Sequence, residues 1–255
     1  VNPEPLVLSV AYTLRRKDFV EKSKMNSNES DPSGGPARPA SQRVTVWDLP
    51  TRLFHWLLVA FVGTSFVTAE IGGNAMQIHE LSGFVILSLL LFRVGWGFFG
   101  SKPSRFSDFV RGPQAVLSYA RGLLQKDSPS HFGHNPLGGW SIVAMLLALF
   151  VQAGTGLFAN DDILTEGPLY SRVSKATSDF ITDIHEFNQG VIVALVAIHL
   201  FAILFYFFVI RENLVTPMIT GVRSWNGAIE EPTGRTWAAA VIAGIAGSVV
   251  YFLVR

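Results

Sequence analysis

The chain contains no cysteine in its 255 residues. That excludes disulfides, thiolate-held iron–sulfur clusters, a thiolate-ligated haem and the C-x-x-C-H attachment of c-type haem. Charge is scarce as well: 15% of the residues are Asp, Glu, Lys or Arg, against about 25% in soluble domains. With 49% hydrophobic residues and a mean hydropathy of +0.35, the composition is that of an integral membrane protein. A net charge of +1 leaves no basic footprint, and nucleic acid is not expected as a partner.

Without thiolates, any haem would be non-covalent and held by histidine or methionine. The histidines are therefore the useful inventory: His55, His79, His131, His134, His185 and His199. Five apolar runs can cross a hydrocarbon core of ~30 Å, at about 52–69, 79–99, 138–158, 183–210 and 237–254. This predicts an all-α membrane fold. Residues 1–42 are polar and read as a disordered tail, with Met25 a candidate start. Residues 43–221 hold the first four spans, and 222–255 a linker and the fifth. Asp48 or Thr51 can cap the first span, Pro50 suits an early helical position, and Trp47 and Trp56 suit interfacial depth.

The fourth run, Ile184 to Phe208, carries His185 and His199. Their spacing of fourteen residues puts them within about 40° on one helix face and ~21 Å apart along the axis. An imidazole in lipid needs a partner. For a single histidine that partner can simply be a neighbouring helix. Two on one face, one per leaflet, suggest axial ligands of two stacked haems.

Lysines and arginines set the orientation. The connection between spans two and three holds five (Lys102, Arg105, Arg111, Arg121, Lys126), and the segment after span four holds Arg211, Arg223 and Arg235. The connection between spans one and two holds none. The amino terminus is therefore expected in the cytoplasm and Arg255 outside. In that frame His55 and His199 lie toward the inner leaflet and His79 and His185 toward the outer, giving two bis-histidine pairs. Arg211 lies twelve residues beyond His199, whereas Arg52 lies three from His55. The fourth span must then project or tilt. Zinc is a poor rival, because it prefers four ligands.

Lesser candidates surround the pairs. Arg52 lies one turn before His55. Gly83, one turn after His79, leaves room for a flat macrocycle or serves ordinary helix packing. Arg93 can meet a haem propionate or snorkel to the interface. His131 and His134 precede the third span and read as solvated loop, a propionate contact being the alternative for His134. The connection 159–183 has five acids and two bases. It reads as a steering surface for a basic redox partner or as a loop merely depleted of positive charge. Ala240, Gly244 and Ser248 form a small-residue ridge suited to close helix contact.

The motifs VWDLPTRLFHW, IHELSGF, GHNPLGGW and ENLVTPMITG, in this order and with the His185–His199 spacing, span Val44 to Gly221. In this the chain resembles the prokaryotic cytochrome b561 and nickel-hydrogenase b-type cytochrome family. The resemblance implies a four-helix bundle holding two haems b through His55, His79, His185 and His199, with the fifth span outside that core. It further implies a bacterial inner-membrane protein exchanging electrons between quinone or quinol and a partner on the outer face, such as a c-type cytochrome or a hydrogenase. A haem-bearing anchor subunit of a hydrogenase or dehydrogenase is the nearest alternative. A haem-free, histidine-dependent transporter or proton carrier is the distant one, and it would need more charge inside the spans than Arg93 supplies.

Overall fold

The computed structural model describes residues 42–124, 132–163, 165–225 and 236–255. The expectations of disorder and of a start at Met25 lie outside the described residues, and so does His131. The described elements are β1 (Gln42–Thr45), α1 (Leu49–Ile71), α2 (Met76–Phe99), α3 (Phe106–Phe109), α4 (Pro113–Leu124), α5 (Pro136–Gly156), α6 (Lys175–Phe205), α7 (Val215–Thr220), β2 (Val222–Trp225) and α8 (Thr236–Leu253). Five helices are long and apolar enough to cross a membrane: α1, α2, α5, α6 and α8.

Side-chain caps fix where they begin. Asp48 caps α1 by accepting from Thr51 N at 2.7 Å, and Asn135 caps α5 by accepting from Gly138 N at 2.7 Å. Each is followed within two residues by Pro50 or Pro136, whose missing N–H costs nothing in the first turn. Between α1 and α2 the chain turns at Gly72 and Gly73, whose φ of 66° and 55° lie in the left-handed region that favours glycine.

α6 begins at Lys175, eight residues before the apolar run at 183. Ser174 caps it by accepting from Thr177 N, and the polar turns that follow carry no hydropathy signal. A π-turn, Tyr206–Ile210, extends the helix at its other end, so that it runs for 36 residues. That is ~54 Å of helix against a hydrocarbon core of ~30 Å. The helix is thus longer than a straight crossing needs, and its extra turns lie at the end that carries His185.

α1 packs along α2 and α5 along α6, while α2 also packs on α5 and α8. α6 approaches α1 and α2 only sparsely. One core joins Phe54, Ile86, Leu90, Phe92, Trp96 and Leu146 to Ala239 and Ala246 of α8. The small-residue ridge of the last helix does not make this contact: Ala240, Gly244 and Ser248 are exposed, and Ala239, Ala246 and Val250 are buried. The reason lies on α2. Gly95 supplies the hollow, and a side-chain carbon there would lie 2.7 Å from Ile242 Cγ2, so a large residue fits on the α8 side.

β1 and β2 form an antiparallel ribbon with Gln42 opposite Trp225 and Thr45 opposite Val222. Val46 N continues it by donating to Gly221 O at 2.8 Å. Val44, Val46 and Trp47 pack there with Phe132, Met218 and Trp225. The ribbon crosses the boundary drawn at 221–222, because Val222–Trp225 belongs with this packed unit.

Candidate functional site

The two ends of the helices differ sharply in charge. Where α1 and α5 finish and α2 and α6 begin, Glu70, Glu80, Asp161, Asp162, Glu166, Asp179, Asp183 and Glu186 face Arg172, Lys175 and Arg255, a balance of −5 among the described residues. At the other end Arg43, Arg52, Arg93, Lys102, Arg105, Arg111, Arg121, Arg211 and Arg223 face Asp48, Asp108 and Glu212, a balance of +6.

At the acidic end, His79 in the first turn of α2 meets His185 of α6, with ring centroids 6.2 Å apart and planes at 76°. Nδ1 of His79 lies 2.8 Å from the Ser65 carbonyl and 3.1 Å from its hydroxyl. Nδ1 of His185 lies 3.0 Å from the Gln152 carbonyl and 3.0 Å from the Thr155 hydroxyl. A carbonyl can only accept, which assigns the proton of each ring to Nδ1 and leaves a lone pair on Nε2. That is the tautomer of a metal-ligating histidine with its supporting acceptor in place.

A cavity of about 290 Å³ surrounds the pair, bordered by α1, α2, α5 and α6. It follows from the sparse approach of α6. A side-chain carbon at Gly83 would meet nothing within 4 Å, so no helix packs on it. At Gly156 the same carbon would come within 3.1 Å of the His185 ring, so the missing side chain gives that ring its place.

At the basic end His55 of α1 and His199 of α6 interact electrostatically, and both act on His134 together with Arg93. His134 is not in open solvent. Its ring centre lies 4.5 Å from that of Trp47 and 5.4 Å from that of Phe109, because its loop folds back beneath β1. Burial, then the Arg93 charge, then His199 and His55 push its pKa down to about 3. It is therefore neutral near pH 7 and offers one N–H. Arg93 does not snorkel either: it is 4% exposed, with its guanidinium 4.9 Å from the Phe106 ring centre and 5.6 Å from that of Phe109.

Three buried polar atoms among the described residues lack a hydrogen-bond partner: Arg52 Nε, His55 Nδ1 and Arg93 Nη1. All three belong to this end. A buried donor without an acceptor costs about 1–3 kcal/mol, more when charged, and carboxylate oxygens would satisfy both arginines. Asp48 is no substitute, since its oxygens already accept from Thr51 N, Trp96 Nε1, Ser104 Oγ and Ser101 Oγ. That hub joins α1, α2 and the turn before α3. Its partners lie about fifty positions away in sequence, and only the capping role shows locally. Among the described residues no group of three or more His, Cys, Asp or Glu is placed to hold a metal ion. The donor sets fit haem instead: paired imidazoles, and buried arginine N–H groups, Arg52 Nε and Arg93 Nη1, without acceptors.

Residues 46–221 match the family model described as prokaryotic cytochrome b561. The chain belongs to this family. A cytochrome b561 is an electron-transfer protein with b-type haem, and here the match covers α1 to α7 and ends just before β2. A relative from Rhizobium leguminosarum bv. viciae, named probable Ni/Fe-hydrogenase B-type cytochrome subunit, is 26% identical over 71% of this chain and 89% of its own. A protein of the same name from Bradyrhizobium diazoefficiens is 22% identical over 72% of this chain and 87% of its own. No solved structure matches the chain. α8 lies outside the family match and packs on the bundle through α2.

Proposed function

We propose that this cytochrome b561 holds two haems b, one above the other, in a four-helix bundle of α1, α2, α5 and α6. His79 and His185 would hold the outer haem, and His55 and His199 the inner. The observation that carries the reading is the acidic-end pair: two facing imidazoles 6.2 Å apart, each with Nδ1 committed to a helix carbonyl. When bound, haem supplies a one-electron couple with no open coordination position, which suits electron transfer rather than oxygen chemistry.

The chain supplies the rest. The Ser65 and Gln152 carbonyls hold the Nδ1 protons of the two rings, both of which line the cavity. Asn188 Nδ2 donates to Ala148 O at 2.9 Å and to Gln152 Oε1 at 2.7 Å, which steadies α6 beside His185. Gly83 leaves the flank of the cavity open, while Phe66, Phe84, Leu149 and Ile192 give it apolar walls. At the inner site Arg52 and Arg93 would donate to haem carboxylates, with the neutral His134 beside them.

The chain sits in the bacterial inner membrane with its amino terminus in the cytoplasm and Arg255 outside, a reading supported by the +6 and −5 ends. Lipid covers its exposed apolar faces. Electrons pass between the quinone pool and a redox partner on the outer face. The names of both relatives favour a Ni/Fe hydrogenase as that partner, with this chain as its membrane cytochrome subunit.

The test is a reduced-minus-oxidised spectrum of the purified protein with haem quantified per chain. Two haems b are expected. His79→Ala and His185→Ala should remove the same haem, and His55→Ala and His199→Ala the other. A colourless protein ends the reading, and loss of spectrally different haems from His55→Ala and His199→Ala ends the pairing.

A further inference from the structure

The short helix α4 is tied to two of the spans. Just ahead of its first turn the Arg111 carbonyl accepts from Trp140 Nε1 of α5 at 2.8 Å. Further along, the Tyr119 and Tyr206 hydroxyls are hydrogen-bonded at 2.6 Å, and Asn135 Nδ2 donates to Tyr206 at 2.8 Å. Asn135 caps the start of α5, and Tyr206 opens the π-turn that ends α6. α4 therefore lies across the ends of both spans, at the membrane–water boundary that suits the exposed Trp140. Its buried Tyr119 and half-buried Val116, Ala120 and Leu123 face the bundle. Arg121 is on the exposed side.

The junction of α4 with α6 carries two exposed arginines. Arg121 lies two positions beyond Tyr119, and Arg211 directly follows the π-turn. The carboxylate next to Arg211 does not neutralise it, because Glu212 is paired with Arg223 at 2.7 Å. Arg211 has a φ of 64°, in the left-handed region that residues with a side chain seldom adopt. That residue stops the helix abruptly, and Glu212 N donates back to Tyr206 O at 2.9 Å. The cation is thus set immediately past Phe207 and Phe208, which are 47% and 60% exposed on an apolar span. Positive charge bordering exposed apolar surface matches an amphiphile with a negative head and a hydrocarbon tail.

We propose that the junction of α4 and α6 binds an anionic phospholipid, with its phosphate between Arg121 and Arg211 and an acyl chain against Phe207 and Phe208. Guanidinium groups suit phosphate because their N–H donors match its oxygens in pairs. A lipid is favoured over free phosphate, since a free ion would leave the two phenylalanines uncovered. An anionic headgroup is favoured over one that carries an ammonium, since the carboxylate that could face the ammonium is engaged by Arg223. The inference depends neither on the two-haem reading nor on the direction of insertion.

The test uses the purified, haem-loaded, full-length protein in detergent, titrated with phosphatidylglycerol or phosphatidylcholine and followed by native mass spectrometry. Phosphatidylglycerol should be retained in preference, and excess inorganic phosphate should not displace it. Arg121→Gln and Arg211→Asn should each weaken retention about fivefold, and together about 25-fold. Asn is chosen because it tolerates the left-handed turn. Arg121→Lys should keep most of the affinity, and Arg111→Gln, at the other end of α4, should keep all of it. The haem spectrum and Tm report whether each variant is folded. Equal retention of the two lipids overturns the proposal, as does unaltered retention in the double variant. An equal loss from Arg111→Gln would reduce the effect to net charge and overturns the site. Displacement by phosphate would assign the arginines to a free ion and overturns the lipid. Should the double variant fail to fold, the two single variants decide.

Discussion

Gly83 works by having no side chain. It lies one turn beyond His79 with nothing within 4 Å of the position a side-chain carbon would take. Gly83→Leu should fill that space, and the variant should retain about half of the haem, losing the outer group while the helices still form. Haem per chain and the surviving spectrum check this. A full complement of haem would show that the space serves something else. The role of Gly83 is legible in the sequence because it shares a face with His79 at helical spacing. His134 is not legible in that way. Its half-buried place depends on Trp47 and Phe109, which come from two other segments, and local polarity makes it look solvated. Arg93 was ambiguous for a similar reason, since snorkelling and burial have the same pattern in sequence until Phe106 and Phe109 close over the guanidinium.

At the level of elements, the apolar runs gave the membrane helices to within a few residues, because a ~30 Å core demands them. The start of α6 was hidden, since its cap and first turns are polar. The face that α8 buries was also hidden, because it is chosen by Gly95 on another helix. α8 lines none of the cavity around His79 and His185, and its packed residues meet α2 and the end of α5. Ending the chain after Trp225 should therefore keep both haems and lower Tm by several degrees. Ending it after Arg223 should cost more, since Trp225 packs with Val44, Val46 and Trp47. Haem quantification and thermal melts of the two truncations check this. Loss of a haem from the Trp225 truncation would assign α8 a supporting role in the site.

Across the whole molecule, the charge asymmetry predicts the direction of insertion, and the lack of native cysteine gives a clean background for labelling it. Ile163→Cys at the acidic end should react with an impermeant maleimide added to intact spheroplasts. Arg111→Cys at the basic end should react only after lysis. The reverse pattern would invert the topology and exchange the inner and outer sites. Loop charge made this polarity legible, but nothing local announced the ribbon. Its strands are four residues each and separated by four spans. Its innermost partners, Thr45 and Val222, are 177 positions apart. At about 5–20 residues per second, a ribosome takes roughly 9–35 s to cover that interval. Throughout it, Arg52 lacks the Ile219 carbonyl and Trp56 lacks that of Met218, so the basic end of the first span waits without these partners. The seam is thus the last stitch of biogenesis: the basic end can close only once the fourth span has left the ribosome.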